Sequence, residues 1–200
     1  MNKITVVAID PGSSESGVIA LNENGIREAY NIANEKVFDF IYKESLLCQK
    51  FLVVVEDLMM YNLKTGGDSF IKTAKFLGQI EWRLKDVDIK FNLIPRWEIK
   101  QWIFLQYRTI VEPMILDNMR RSTDRKKKKA EDAGIVFKAR NASPTFVYVN
   151  DRCVIAAMRK RWGIEPCKGG RSKPLYNLKD HGWQALGLAS YFLVREKIIL

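Results

Sequence analysis

The sequence predicts a mixed α/β fold. Three strand-like runs come first, strand-like and helical runs then alternate, and two further helical patterns close the chain. Residues 4–9 are apolar and β-branched and stop at Asp10-Pro11-Gly12. Residues 17–21 and 26–32 read as two more strands around a turn at residues 22–25, which together make a meander. Val37, Phe38, Ile41, Leu46 and Leu47 give residues 34–47 an approximately helical spacing, and residues 51–55 form a short, wholly apolar strand ending at Glu56.

After Gly66-Gly67, Asp68 and Ser69 are good N-cap types, and Phe70, Ala74 and Leu77 share one face of a helix running to about residue 86. Residues 89–94 read as a fifth strand stopped by Pro95, and residues 96–106 return to helical spacing through Trp97, Ile99, Trp102 and Ile103. From about residue 107 to 147 the pattern dissolves into charged and Pro-containing sequence around a basic run at 120–129, which reads as a basic insertion within one domain. The closing helical patterns cover residues 150–162 and 180–195, joined by a Gly- and Lys-rich loop at 163–178.

A chain of 200 residues with 47% hydrophobic content suits one globular domain. No apolar stretch approaches the roughly 18 residues of a membrane span, and the first residues enter a strand instead of a signal-peptide pattern. Cys48, Cys153 and Cys167 are an odd, scattered set without a C-x-x-C pair, so neither a disulfide framework nor a zinc ribbon is indicated. A reducing cytoplasm, bacterial or that of a virus-infected cell, is the expected setting. The formal net charge of +10 attracts polyanions, with nucleic acid the first candidate and a basic protein lacking any such partner the alternative.

Asp10 and Glu56 each stand where an apolar strand ends. If those strands are neighbours, both carboxylates emerge from one sheet edge, a usual way to build an oxygen-ligand site for Mg²⁺. The competing readings are an Asp-Pro-Gly turn residue for Asp10 and a paired or solvated charge for Glu56, whose neighbour Asp57 is then the solvated acid. Asp180 and His181, the chain's lone histidine, begin a strongly apolar helix, where Asp180 also serves as a cap or first-turn acid.

Taken together, VVAIDPGSSESGVIAL, VVVEDLMMYN with GDSFIKTAKFLGQIEWRL, RWEIKQWIF, NDRCVIAAMRKRWGI and KDHGWQALGLASYF resemble, in order, the segments of the RuvC-type Holliday-junction resolvases of the ribonuclease H-like superfamily. Alone, IDPGSSESG also resembles the phosphate loop of actin-like phosphotransferases, but the second phosphate loop and adenosine motif of those proteins are not found.

The RuvC resemblance implies a five-stranded mixed sheet flanked by helices, a homodimer, and cleavage of four-way DNA junctions in recombination and repair with two Mg²⁺ ions, or Mn²⁺ in their place. Asp10 and Glu56 match the family's first two acids. In the terminal helix the family has an acid or His, two residues, then Asp; here His181 takes the first place and Gln184 the second. A neutral amide is a weaker Mg²⁺ ligand, so Asp180, on about the same helical face, is expected to supply the missing charge beside His181. The resemblance also puts Lys100 and Arg152 near DNA phosphates, and Met59, Met60 and Tyr61 at the junction centre, where Tyr61 would stack on a base. Ordinary surface charge and core packing are the competing readings. Lys126, Lys127, Lys128 and Lys129 are either a DNA-grasping arm that orders on binding or a mobile solubilising loop. The functional alternative is a junction- or DNA-binding protein that does not cut.

Overall fold

The computed structural model describes residues 4–48, 50–58, 67–138, 143–164, 175 and 178–198. Strands β1 (Ile4–Asp10), β2 (Glu15–Asn22) and β3 (Gly25–Ala33) form the expected antiparallel meander. At its second turn the Asn22 Oδ1 accepts the Asn24 N–H at 2.9 Å, and Gly25 takes a φ of +119°, which a side chain would resist. Strand β4 (Lys50–Asp57) lies parallel to β1, and β5 (Phe91–Pro95) parallel to β4, giving the order β3-β2-β1-β4-β5.

Helices cover both faces of this sheet, which is why β1 and β4 read as continuous apolar runs and not as alternating ones. On one face, α1 (Val37–Leu47) and α2 (Asp68–Asp86) pack Phe40, Ile41, Phe76 and Ile80 over Val7, Ile9, Val53 and Val55. On the other, α3 (Arg96–Gln106), α5 (Asp151–Trp162) and α6 (Asp180–Arg195) bring Ile103, Met158, Leu186 and Leu188 against Val6, Ala8, Val54 and Ile94. Each such buried side chain stabilises the fold by roughly 1.5–3 kcal/mol relative to exposure. The buried Glu44 of α1 is held at 3.2 Å by Arg27. Cys48 and Cys153 are free thiols, and Cys167 lies outside the described residues. Among the described residues no helix is long and apolar enough to cross a membrane.

Two expectations are corrected. The residue preceding α2, Gly67, holds its N-cap position, so Asp68 is a first-turn acid and not the cap. The basic stretch expected to lack regular structure is instead mostly α4 (Arg108–Asp132), a 25-residue helix. Its buried contacts, Val111 and Ile115, lie only in its first half, so apolar periodicity fades long before the helix ends. Beyond Ile115, strong helix formers and the i,i+4 pairs Asp117–Arg121 and Lys127–Glu131 continue it.

Candidate functional site

Register puts the two strand-end acids side by side. Ile9 is the partner of Val55 across β1 and β4, so Asp10 and Glu56 occupy the next position on each strand. Alternation then turns both carboxylates to the face of Ala8 and Val54, beneath α3, α5 and α6. Both are nearly fully buried, Asp10 at 3% and Glu56 at 1% exposure.

The loop after Asp10 is held by polar contacts. Ser16 Oγ donates to Asn34 Oδ1 at 2.7 Å and accepts the Gly12 N–H at 3.3 Å, while Asn34 Nδ2 donates to the Gly12 carbonyl at 3.0 Å. Gly17 stands across β1/β2 from Asp10, and a Cβ there would overlap the His181 carbonyl. The glycine therefore admits the first turn of α6 against the sheet. That close approach sets His181 Nδ1 2.6 Å from Asp10 Oδ2, and this hydrogen bond raises the imidazole pKa above its ordinary value.

Glu56 has one cationic partner. Arg96 Nε, at the first residue of α3, is 2.8 Å from Glu56 Oε1, but its N–H is not aligned along the contact, and neither Nε nor the buried Glu56 Oε2 has a hydrogen-bond partner. Burial first, and then the Asp10 charge, push the Glu56 carboxyl up to about 8, against the pull of Arg96 and Lys100. Lys100, one turn further along α3, is half-buried, and its pKa is lowered by burial and by Arg96.

A further carboxylate, the exposed Asp151, stands at the start of α5. Asn150 caps that helix by accepting the Cys153 N–H at 3.2 Å, and Asp151 follows as its first residue. Asp151 Oδ1 accepts a hydrogen bond of 2.8 Å from Nε2 of Gln184, and its charge acts on Glu56, His181, Arg96 and Lys100. The first turns of α3, α5 and α6 thus all deliver side chains to this sheet edge, where their dipoles favour negative charge.

Asp10, Glu56, His181, Lys100 and Gln184 are brought to one edge. Asp57 is half-buried at the end of β4. Asp180 is exposed in the first turn of α6, with Lys179 in the N-cap position, and among the described residues its side chain makes no hydrogen bond or ion pair. Met59, Met60 and Tyr61 lie outside the described residues. The lysine run is divided by helical geometry. Lys126 and Lys129 line a cleft of about 380 Å³ with Arg121, Arg125 and Arg152, whereas Lys127 pairs with Glu131 and Lys128 is exposed. Arg96 and Asp151 were legible in principle. Arg96 follows the end of β5 as Asp10 and Glu56 end their strands, and Asp151 follows a capping Asn.

Among the described residues no three His, Cys, Asp or Glu side chains converge into a finished metal cage. In kind, the donors nonetheless suit a hard divalent cation. Two buried carboxylates sit on adjacent strand ends, and the unpartnered Glu56 Oε2 calls for a proton or a cation.

No family model and no curated protein matches the sequence. Solved structures do. The chain is similar to Thermus thermophilus RuvC in complex with Holliday junction substrate, at 13% identity and a TM-score of 0.53, over 97% of this chain and 96% of that one. A second Thermus thermophilus RuvC structure matches at 13% identity and a TM-score of 0.49, over 97% of each chain. The yeast mitochondrial Holliday junction resolvase Ydc2 matches at 9% identity and 0.42, over 96% of this chain and 80% of its own. The sheet order and the first of these likenesses define a ribonuclease H-like α/β fold. Within that class the chain is RuvC-like in fold, as the resemblance implied.

Proposed function

We propose that the protein is a divalent-cation-dependent endonuclease that cuts four-way DNA junctions. The observation that supports this best is the pair Asp10 and Glu56, buried side by side on adjacent strand ends with Glu56 Oε2 unpartnered. The RuvC fold, solved in a relative with a Holliday junction, supports the choice of substrate. Asp10, Glu56 and His181 would hold Mg²⁺, or Mn²⁺ in its place, with Asp180 the helix acid first expected beside them. The chemistry such ions supply when bound is activation of water and relief of charge on the departing oxygen.

The chain's own groups do the rest. With Nδ1 bonded to Asp10, His181 presents Nε2 to the site, where it serves either as the cation ligand or, in a site held by the carboxylates alone, as the acceptor of a proton from the attacking water. Arg96 and Lys100 offset negative charge at the sheet edge. Arg152, Lys126 and Lys129 give phosphates a cationic cleft. A junction has symmetry-related strands, so paired cuts call for two copies of the site, hence a homodimer. Nicking of a synthetic four-way junction, with and without Mg²⁺ and against linear duplex of the same sequence, tests this reading. Tight junction binding without nicking would leave a binding protein in its place.

Two results are expected from the same groups. At pH 7 the Glu56 carboxyl, raised to about 8, is mostly protonated in the cation-free protein, so Mg²⁺ binding should release close to one proton. Affinity should then fall about tenfold per pH unit below that value and level off above it. Calorimetry in two buffers of different ionisation heat measures the release, and identical heats at pH 7 would refute it. Separately, Lys126→Ser with Lys129→Ser should weaken junction binding and flatten its salt dependence by about one unit of log–log slope per lost phosphate contact. The pair Lys127→Ser and Lys128→Ser, outside the Arg152 cleft, should change that slope less. Equal slopes for both pairs would remove the cleft from the DNA interface.

A further inference from the structure

The cationic cleft beside α4 has a neighbour to which the proposed reaction gives no role. A second cleft of about 600 Å³ opens along the same helix, within the roughly 300–1,000 Å³ usual for small-molecule sites. Asn118, Ser122 and Lys126, each one turn from the next on α4, line both clefts and form the ridge between them. The walls differ in chemistry. The first cleft carries Arg121, Arg125, Lys129 and Arg152, whereas the second is lined by Phe137, Tyr148 and Met119 together with the amides of Asn118 and Asn150. Among the described residues no acid lines either one.

The second cleft is partly built in advance. Asn150 gives its Oδ1 to the Cys153 N–H at the start of α5, which fixes the amide and leaves its Nδ2 hydrogens as donors. Tyr148 ends a short 3-10 turn (Phe146–Tyr148), its N–H bonded to the Thr145 carbonyl at 3.0 Å, and its side chain is 43% exposed. Ile135 and Val136, just before Phe137, and Val147, just before Tyr148, are exposed as well, so apolar surface is gathered around both aromatic residues.

A nucleobase matches this lining. Its two faces suit aromatic and thioether surface, its edge of donors and acceptors suits the amides, and its phosphate suits the arginines and lysines across the ridge. A base still paired in a duplex cannot enter, because its faces and pairing edge are already occupied.

We propose that this cleft receives one unpaired nucleobase while the adjoining phosphate lies in the cationic cleft, with the Asn118, Ser122 and Lys126 ridge between base and backbone. A strand that has left its duplex is thereby told from one that has not. The proposal goes beyond the nuclease reading and needs from it only that the chain binds DNA, not that it holds a cation.

The test uses the full chain in EDTA, so that no divalent ion takes part. Fluorescence anisotropy follows binding of a short labelled oligothymidylate and of the same backbone made abasic throughout. The wild type should bind the base-bearing strand roughly five- to hundredfold more tightly, the worth of one stacked base. Tyr148→Ala should remove most of that preference and leave the abasic strand within about twofold, since its phosphate contacts are untouched. Arg125→Ser with Lys129→Ser, by contrast, should weaken both strands by the same factor. Thermal melts accompany the titrations, and Thr123→Trp, which fills the cleft from α4, replaces Tyr148→Ala if that variant does not fold, with the same selective loss expected. Equal wild-type affinity for the two strands, or an equal loss on both in Tyr148→Ala, overturns the base site while leaving the cationic cleft standing. Free thymidine monophosphate that displaces the strand when merely equimolar with the protein assigns the cleft to a free nucleotide and likewise overturns the proposal. Binding of neither strand, nor of a four-way junction, overturns the DNA-binding reading with it.

Discussion

Asp10→Asn is expected to abolish Mg²⁺-dependent nicking of a four-way junction while leaving junction affinity within a few-fold of the wild type. The side chain is buried beside Glu56 and bonded to His181 Nδ1 at 2.6 Å, and asparagine keeps both the volume and an acceptor oxygen for that bond. What disappears is one negative charge at the centre of the acidic site. Binding should survive because DNA affinity comes mostly from cations facing phosphates, and the cleft of Arg121, Arg125, Lys126, Lys129 and Arg152 is untouched. Loss of a negative charge near the DNA should, if anything, tighten binding slightly. Purified Asp10→Asn protein that still nicks junctions with Mg²⁺ would remove Asp10 from the site and the nuclease reading with it.

How much of this could be read from the residues alone follows the range over which each signal acts. Strand ends are local signals. An apolar run that meets an acid marks the edge of a sheet, so β1 ending at Asp10 and β4 turning polar at Glu56 were visible, and their adjacency was the single step left to pairing. Helices α3 and α6 begin and end where the pattern put them, because each carries an apolar stripe from its first turn onward. Helix α4 was missed for the converse reason. Past Ile115 nothing buries it, and its continuation depends on propensity and charge pairs that leave no hydrophobic period. The contact between Gln184 and Asp151 was not legible because the two lie 33 residues apart on different helices, and an acid after a capping Asn looks complete as a helix start.

Gly17→Ala is expected to damage fold and site together. Gly17 pairs with Asp10 across β1 and β2, and a Cβ at that position would overlap the carbonyl carbon and oxygen of His181 and crowd the Gly182 nitrogen at 2.5 Å. These are backbone atoms, so no side-chain rotation relieves the overlap and the first turn of α6 must move away from the sheet. Forcing a methyl group into such a contact costs about 1–3 kcal/mol. For a chain of this length that is roughly 2–4 °C of Tm per kcal/mol. The same movement pulls His181 from Asp10, so nicking should fall much further than the stability loss explains. Gly78→Ala is the control, since a Cβ there meets nothing within 4 Å, and alanine in that helix should raise stability by up to about 1 kcal/mol. The comparison also bears on the actin-like reading of IDPGSSESG, in which Gly17 belongs to a loop that cradles phosphate. On that account Gly17→Ala would melt like the wild type and lose nucleotide binding instead. Thermal melts and junction-nicking rates of the two alanine variants decide the matter, and a Gly17→Ala protein with wild-type Tm and wild-type nicking would mean that the close approach of α6 to β2 is not what builds the site.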